Sequence, residues 1–452
     1  MTIVDGIDFE DARRQFRRVE LLHPNRPRME QYESTLITGH NGSHKSTLLR
    51  QLVTALVAPR QPDLFSERNA LLNREKHQVF CLSGSAADRF PSKEQPQGMR
   101  SAFDVPHYTY VGQRVGNNLL SRKAPLETML SFALMPRATE RCKWRFFSDA
   151  HRHAGIYPSS RYTIAFKAAA RDAKNLLGSL RGSLNSITPE TDNFRHKNRP
   201  FPNVSFATAR WLLEEFSAEE FANLRDLLLR RSRFEINLSI QGASCESATP
   251  NVLRLGLLLD ILRLQEVHVR SMSYNTEFSA FELSSGEYHM FSAILAIGFG
   301  LDKNSVLLID EPENSLHPQW QRDLMDSVFS ACTQVMHDGH VIVSTHSPLI
   351  VGSAARGSTV VDMTLDEPQL SVVSYGASSD ELLLNQFGVG SSRNKVVVDR
   401  VQLAVSLVER GDFNNPEFQS LIPELQTIRD ALTDTDPMVI VIDALLGEVP
   451  AP

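Results

Sequence analysis

The stretch Gly39-His40-Asn41-Gly42-Ser43-His44-Lys45-Ser46-Thr47 decides how the rest of the chain is read. It follows a short β-like run, Ser34–Thr38, and opens onto Ser46–Ala58, which reads as a helix. Strand, glycine-rich loop, helix is the context in which a loop can wrap phosphate oxygens. Its backbone N–H groups turn inward, and the positive end of the next helix points at the same spot. The same residues also fit a glycine-rich turn that holds no ligand.

The spacing resembles the Walker A loop, G-x-x-x-x-G-K-[ST]. That resemblance implies that Asn41, Gly42, Ser43, His44, Lys45, Ser46 and Thr47 surround the phosphates of ATP. Lys45 would reach the β- and γ-phosphates, and Ser46 would set its hydroxyl on Mg2+. One position departs from the pattern: His44 stands where glycine is expected, and glycine is used there because the backbone passes close to phosphate. The His44 ring could crowd the nucleotide and slow hydrolysis, turn away, or donate a hydrogen bond to phosphate.

Four further segments follow in the order of one family. Val306-Leu307-Leu308-Ile309-Asp310-Glu311 is an apolar run ending in two carboxylates and resembles Walker B. There Asp310 would hold the magnesium shell, because a hard cation wants oxygen ligands, and Glu311 would orient the attacking water. By itself the run also reads as a buried strand ending in a solvated turn. Leu283-Ser284-Ser285-Gly286-Glu287, before the apolar stretch Met290–Ile297, resembles the ABC signature. The resemblance turns Ser284, Ser285, Gly286 and Glu287 toward a γ-phosphate; the plain alternative is a Ser/Gly helix cap. His346, in Val341-Ile342-Val343-Ser344-Thr345-His346-Ser347-Pro348, stands at the place of the family's switch histidine. Gln113, after Tyr108-Thr109-Tyr110-Val111-Gly112, stands at the place of the Q-loop glutamine, a magnesium and water contact.

Together these segments resemble the ABC-type ATPases over roughly residues 15–120 and 275–375. In that family the signature of one subunit closes over the nucleotide held by another, which implies a homodimer or higher homo-oligomer built around an ATP sandwich. Asn314-Ser315-Leu316-His317-Pro318, after Walker B, resembles the SMC, RecF and OLD branch. No sustained heptads for a long coiled-coil arm are legible, nor an acidic metal-binding cluster of the TOPRIM nuclease kind. The remaining resemblance is to the Septu anti-phage defence ATPase subunit, which works with a separate HNH nuclease; Glu381–Val389 is similar to the segment after its ATPase core.

The fold class this implies is α/β, an ABC-type P-loop head with a mixed sheet and flanking helices, a helical insertion and a helical C-terminal extension. The expected division is residues 1–124 (N-terminal lobe), 125–274 (helical insertion), 275–375 (C-terminal lobe) and 376–452 (acidic extension). Within the insertion, Arg210–Arg231 and Val252–Gln265 read as two helices.

The 452 residues are 42% hydrophobic and 22% charged, ordinary for a water-soluble globular chain. No apolar run approaches the roughly 20 residues that span a bilayer, and the N-terminus lacks the apolar core of a secretory signal. Cys81, Cys142, Cys245 and Cys332 form no CxxC pair, which fits a reducing cytoplasm. The net charge of -6 is unevenly spread. Residues 137–199 hold 13 Lys or Arg against 5 Asp or Glu, and the chain from Asp399 onward holds 3 against 10. The basic segment suggests either a DNA contact or a solvated helical face.

Three functions follow as expectations. One is a nucleotide-gated pair of heads controlling a nuclease partner. Another is a RecF-like clamp acting on DNA itself. The last is a nucleotide-binding scaffold with little turnover.

Overall fold

A computed structural model describes residues 3–10, 16–29, 31–57, 77–85, 88–91, 93, 103–115, 119–167, 180–188, 204–355, 357–364, 367–373, 395–409, 415–432 and 436–447. Its strands are β1 (Gly6–Glu10), β2 (Phe16–Glu20), β3 (Tyr32–Thr38), β4 (Gln78–Ser83), β5 (Tyr108–Val111), β6 (Ile156–Phe166), β7 (Arg233–Ser239), β8 (Gly242–Ser244), β9 (Leu262–Ser271), β10 (Glu277–Ser279), β11 (Ser305–Asp310), β12 (Gly339–Ser344), β13 (Thr359–Asp362) and β14 (Gln369–Val372).

The central sheet has the order β14-β13-β3-β12-β11-β4-β5. Every pairing from β13 to β5 is parallel, and β14 is an antiparallel edge. Strands β3, β11 and β12 are buried along their whole length, as parallel strands covered on both faces should be. Their side chains alternate between two cores. Leu36, Leu307, Ile309, Val341 and Val343 join one apolar cluster, with the helices Ser285–Gly300 and Pro318–Val335. Ile37, Val306, Leu308 and Ile342 join the other, with the helix Lys45–Val57 and the β1–β2 hairpin. This is the α/β P-loop arrangement that the motif order implies.

A buried polar chain ties the hairpin side to the sheet. The Val4 N–H donates to His340 Nδ1 at 3.2 Å, and His340 Nε2 lies 2.9 Å from Thr35 Oγ1, which donates to the Leu21 carbonyl at 2.5 Å. A ring that accepts at Nδ1 and donates at Nε2 is neutral, and burial pushes the His340 pKa down to about 3.

Segment 125–274 differs from the expected helical insertion. It carries helices, among them Arg145–His153, Phe206–Glu215, Ala218–Arg230 and Pro250–Leu258, but also most of a five-stranded antiparallel sheet, β10-β9-β6-β7-β8. The stretch Val252–Gln265 is therefore not one helix: the helix ends at Leu258 and β9 begins at Leu262. Nor is Arg210–Arg231 continuous, because Ser217 breaks it and starts the second helix with a capping box to Glu220. A bulge hides β9 in the sequence. Leu262 and Leu264 face the core, and so do Val267 and Val269, with a register shift between Glu266 and Leu264 that flips the parity.

The signature-like helix Ser285–Gly300 is buried nearly all round, packed by Ala124–Ala133, Arg145–His153 and Pro318–Val335. The buried Arg141 guanidinium caps its far end, donating from Nη1 to the carbonyls of Gly298, Phe299 and Leu301 at 3.2, 2.8 and 2.8 Å. A cation at a helix C-terminus satisfies orphan carbonyls and complements the helix dipole. Helices Lys395–Glu409, Pro416–Ala431 and Pro437–Gly447 share a third core of their own. Residues 168–179 and 189–199 of the basic segment and the motif-like Glu381–Val389 lie outside the described residues.

Candidate functional site

Because β3, β11 and β12 are parallel, their C-terminal ends share one edge, where open α/β sheets bind ligands. Thr38 leads into the glycine loop there, β11 ends on Asp310, and β12 ends on Ser344. Asp310 and Ser344 are direct register partners. Ser344 Oγ donates to Asp310 Oδ1, and Ser46 Oγ, at the start of the glycine-loop helix, donates to the same oxygen at 3.1 Å.

Lys45 is folded back into its loop. Its Nζ donates to the carbonyls of Gly39 (2.8 Å) and His40 (3.1 Å) and lies 3.2 Å from His346 Nδ1. On the other side of that ring, His346 Nε2 lies 3.3 Å from Glu311 Oε1. An ammonium can only donate, so Nδ1 accepts and Nε2–H donates to the carboxylate. The neutral His346 ring is thus a bridge between Lys45 and Glu311. Asn314 Nδ2 holds the other carboxylate oxygen of Glu311 at 2.8 Å.

The electrostatics follow from burial and crowding. Burial lowers the Lys45 pKa to about 8, against the opposing pull of Glu311, Glu313 and Asp310. Burial raises Asp310 to about 6, partly offset by the hydrogen bonds from Ser344 and Ser46 and reinforced by the Glu311 charge. Glu311 is held below the ordinary carboxylate range, first by the hydrogen bond from His346. A buried cation beside three carboxylates is a site built for an anion and a second cation together.

The fit to a divalent ion rests on Ser46 and Asp310. Both are oxygen donors, 3.1 Å apart, at the mouth of the loop. Among the described residues no group of three or more His, Cys, Asp or Glu could hold a metal. Magnesium binds in just this way, through one or two side chains, water and substrate phosphates.

Backbone strain concentrates here. Among the described residues, five non-glycine residues take a positive φ, and three lie on the motif loops: His44 (70°), Glu311 (49°) and Ser315 (65°). Such strain costs of order 1–3 kcal/mol per residue and collects at functional sites. His44 adopts the left-handed conformation that glycine takes freely, and its carbonyl still accepts the Leu48 N–H at 2.9 Å to open the helix.

The remaining candidates lie around this cluster. Asn41 and Gly42 are exposed at the loop tip, and Ser43 and Thr47 flank it. Gln113 is exposed and lines a neighbouring cavity with Ser83, Gly84, Ser285, His289 and Asn314. Its loop is anchored by Arg114, which donates to Asp88 Oδ1 at 3.0 Å. Ser284 and Ser285 are exposed at the signature helix N-terminus, where Ser284 and Glu287 form a reciprocal capping box. The Ser284 side chain therefore bonds to Glu287 of its own chain. Gly286 is required by packing, since a Cβ there would lie 2.9 Å from both the Ser315 carbonyl and the Trp320 ring.

Several participants were not singled out from the sequence: Ser344, Glu313, Arg122 and Arg141. Ser344 is visible only through its register with Asp310. Arg122 donates to the Leu283 carbonyl at 2.6 Å and lies 5.0 Å over the Tyr288 ring, tying the Q-loop side to the signature. Glu313 lies two residues past the Walker B-like run, but its partners, at Thr345 and His346, come from another strand end.

The family described as "AAA domain, putative AbiEii toxin, Type IV TA system" matches residues 125–352, half of the chain. The chain belongs to that family. The match spans Ser284, Asp310, Glu311 and His346 and begins after Lys45. The ATPase head carries this family's P-loop fold, and ATPases of this kind use ATP with a divalent metal.

No curated protein matches the chain. Among solved structures, it is similar to an SMC head domain from Thermotoga maritima at 13% identity, covering 31% of this chain and 69% of that one, with a TM-score of 0.20. It is also similar to a Pyrococcus furiosus Smc head with an extended coiled coil, bound to the C-terminal domain of ScpA, at 13% identity and a TM-score of 0.22. There the match covers 46% of this chain and 50% of the other. Among the described residues no helix is long and apolar enough to cross a membrane.

Proposed function

We propose that this protein is a nucleotide-gated ATPase whose heads close on ATP in pairs and control a separate HNH-type nuclease in anti-phage defence. The observation that carries the ATP reading is the convergence of Lys45 and Ser46, at one helix start, with Asp310, Glu311 and His346, at two strand ends: Lys45, His346 and Glu311 lie in a row of close contacts and Ser46 bonds to Asp310. Lys45 and the loop N–H groups would bind the phosphates, Ser46 and Asp310 would hold the magnesium ion, and Glu311 with His346 would orient water. Bound magnesium would neutralise charge between the β- and γ-phosphates. Arrival of a γ-phosphate at Lys45 takes His346 Nδ1 off the ammonium, so the bridge to Glu311 resets when ATP enters. Ser284 and Ser285, exposed at a helix N-terminus, suit the phosphate of a second copy's nucleotide.

The defence context draws on the family description, which names a toxin of a type IV toxin–antitoxin system, and on the resemblance to the Septu ATPase subunit. A RecF-like clamp on DNA is less well supported. Of the basic segment, Arg137, Lys143, Arg145, Arg152, Arg161 and Lys167 are each paired with a carboxylate. Arg141 is buried on carbonyls. Among the described residues of this segment, pairing reduces the charge open to a phosphate backbone.

The test is co-expression with the product of an adjacent HNH-nuclease gene. Light scattering of Glu311→Gln with ATP would show a dimer that Ser284→Arg abolishes, and the nuclease would co-purify. Absence of any nuclease gene beside this one and of any ATP-dependent dimer would sink the proposal.

A further inference from the structure

We propose that Glu313 is a positioning residue of this site, fixing the switch histidine by gripping its backbone rather than its ring. The inference rests on the ATPase reading above and adds a residue that the motif pattern leaves without a role.

β12 ends at Ser344; the Thr345 N–H still donates to the Ile37 carbonyl of β3 at 3.0 Å, and the next N–H, that of His346, turns to a side chain. The His346 N–H is taken by Glu313 Oε1 at 2.6 Å, and Thr345 Oγ1 donates to the same oxygen at 2.9 Å. Thr345 Oγ1 in turn accepts the Ser347 N–H at 2.9 Å, which sets the turn into the short helix Pro348–Gly352. One carboxylate oxygen therefore holds the His346 backbone and, through Thr345, the turn that follows. Charge-assisted bonds of this length are the stiffer kind.

Glu313 reaches this spot because the chain turns sharply after β11. Glu311 takes φ 49°, the Asn314 N–H returns to the Glu311 carbonyl at 3.2 Å, and the Leu316 N–H to the Glu313 carbonyl at 3.0 Å. The same turn aims the Glu311 side chain at the His346 ring and the Glu313 side chain at the His346 backbone. The ring and the carboxylate it serves are thereby set by one loop.

The arrangement is costly. Burial raises the Glu313 pKa, and its Oε2 is buried with no hydrogen-bond partner among the described residues. A buried acceptor left unmade is destabilising, more so for a charged group. What grips the His346 backbone is the acceptor at Oε1, at this reach from the turn after β11.

The experiment uses the full chain, with three variants and two readouts. Phosphate release is measured with Mg2+ and ATP for wild type, Glu313→Ala, Glu313→Asp and Glu313→Gln. In parallel, 15N imidazole spectra of nucleotide-free protein follow His346, assigned by loss of its signals in His346→Gln. The expected wild-type ring is the neutral Nε2–H form. Ala and Asp should shift or broaden its signals and lower kcat at least tenfold, with KM for ATP within threefold. Gln keeps an acceptor at Oε1 and should restore kcat to within threefold and the wild-type ring signals. Unchanged His346 signals in Ala and Asp, or kcat within twofold of wild type, would overturn the proposal. So would Gln as damaged as Ala. Should Ala not fold, Asp, which keeps the charge and shortens the reach, decides it. If wild type releases phosphate no faster than Glu311→Gln, the ATPase reading has failed, while the imidazole spectra still decide the grip.

Discussion

The His346 imidazole sits between Glu311 and Lys45, its Nε2 3.3 Å from Glu311 Oε1 and its Nδ1 3.2 Å from Lys45 Nζ. Without nucleotide, the group meant to polarise water and the group meant to hold phosphate are thus joined through one neutral ring. Glu311→Gln should keep ATP binding within about threefold, because the amide still accepts from His346 Nε2. It should lower phosphate release by roughly 10²-fold, the usual scale for loss of a catalytic base. A stopped-time phosphate assay beside an equilibrium binding titration separates the two effects.

His44 gives a stability prediction. An L-residue in the left-handed region costs roughly 1–2 kcal/mol, against about 0.5–1 kcal/mol for the extra freedom of glycine in the unfolded chain. His44→Gly should therefore be neutral to about 1.5 kcal/mol more stable by thermal melting. Its phosphate release should be at least that of wild type if the ring crowds the nucleotide. Slower release with unchanged melting would show that the imidazole assists the phosphate instead.

Removing Arg141 should hurt in a different way. Arg141→Met leaves the carbonyls of Gly298, Phe299 and Leu301 without their buried donor. The expected loss is on the order of 2–4 kcal/mol, read in urea unfolding. Because the signature helix loses its far anchor, ATP-dependent pairing of heads should weaken in light scattering even where the protein stays folded.

Acid sensitivity follows from four histidines kept neutral by burial: His107, His151 and His289, each lowered to about 4, and His340, lowered to about 3. In the unfolded chain each titrates near 6.5. Below that value the unfolded state takes up protons that the folded state refuses. The stability they contribute is complete above about pH 6.5 and is lost as pH falls toward 4. The melting temperature should drop steadily between pH 7 and pH 5. A flat profile across that window would show that these rings are protonated in the fold.

What was legible in the sequence has a physical pattern. The glycine loop, the Asp310-Glu311 pair, the signature cap and His346 are local spellings of local structure, and each is found on the expected element. The apolar runs Val306–Ile309 and Val341–Ser344 spell buried parallel strands, which need no alternation to be recognised. The antiparallel sheet inside residues 125–274 was not legible, because the β9 bulge breaks its period of two and its leading Leu262 continues the helical spacing of Pro250–Leu258. Nor could Ser344 and Glu313 be tied to the site, since their partners are set by strand register and by a strained turn. Gln113 lines a cavity with Ser83, Gly84, Ser285 and Asn314, and its loop is held by the Asp88–Arg114 ion pair, a contact set by the fold rather than by local spelling.

The role proposed for Lys45, anchoring ATP at the loop that follows β3, is tested by an equilibrium titration of labelled ATP, with Mg2+ present, into wild type and Lys45→Ala. Wild type should bind saturably and the variant at least 10²-fold more weakly, with its melting temperature retained. Equal affinity in the two proteins would contradict that role.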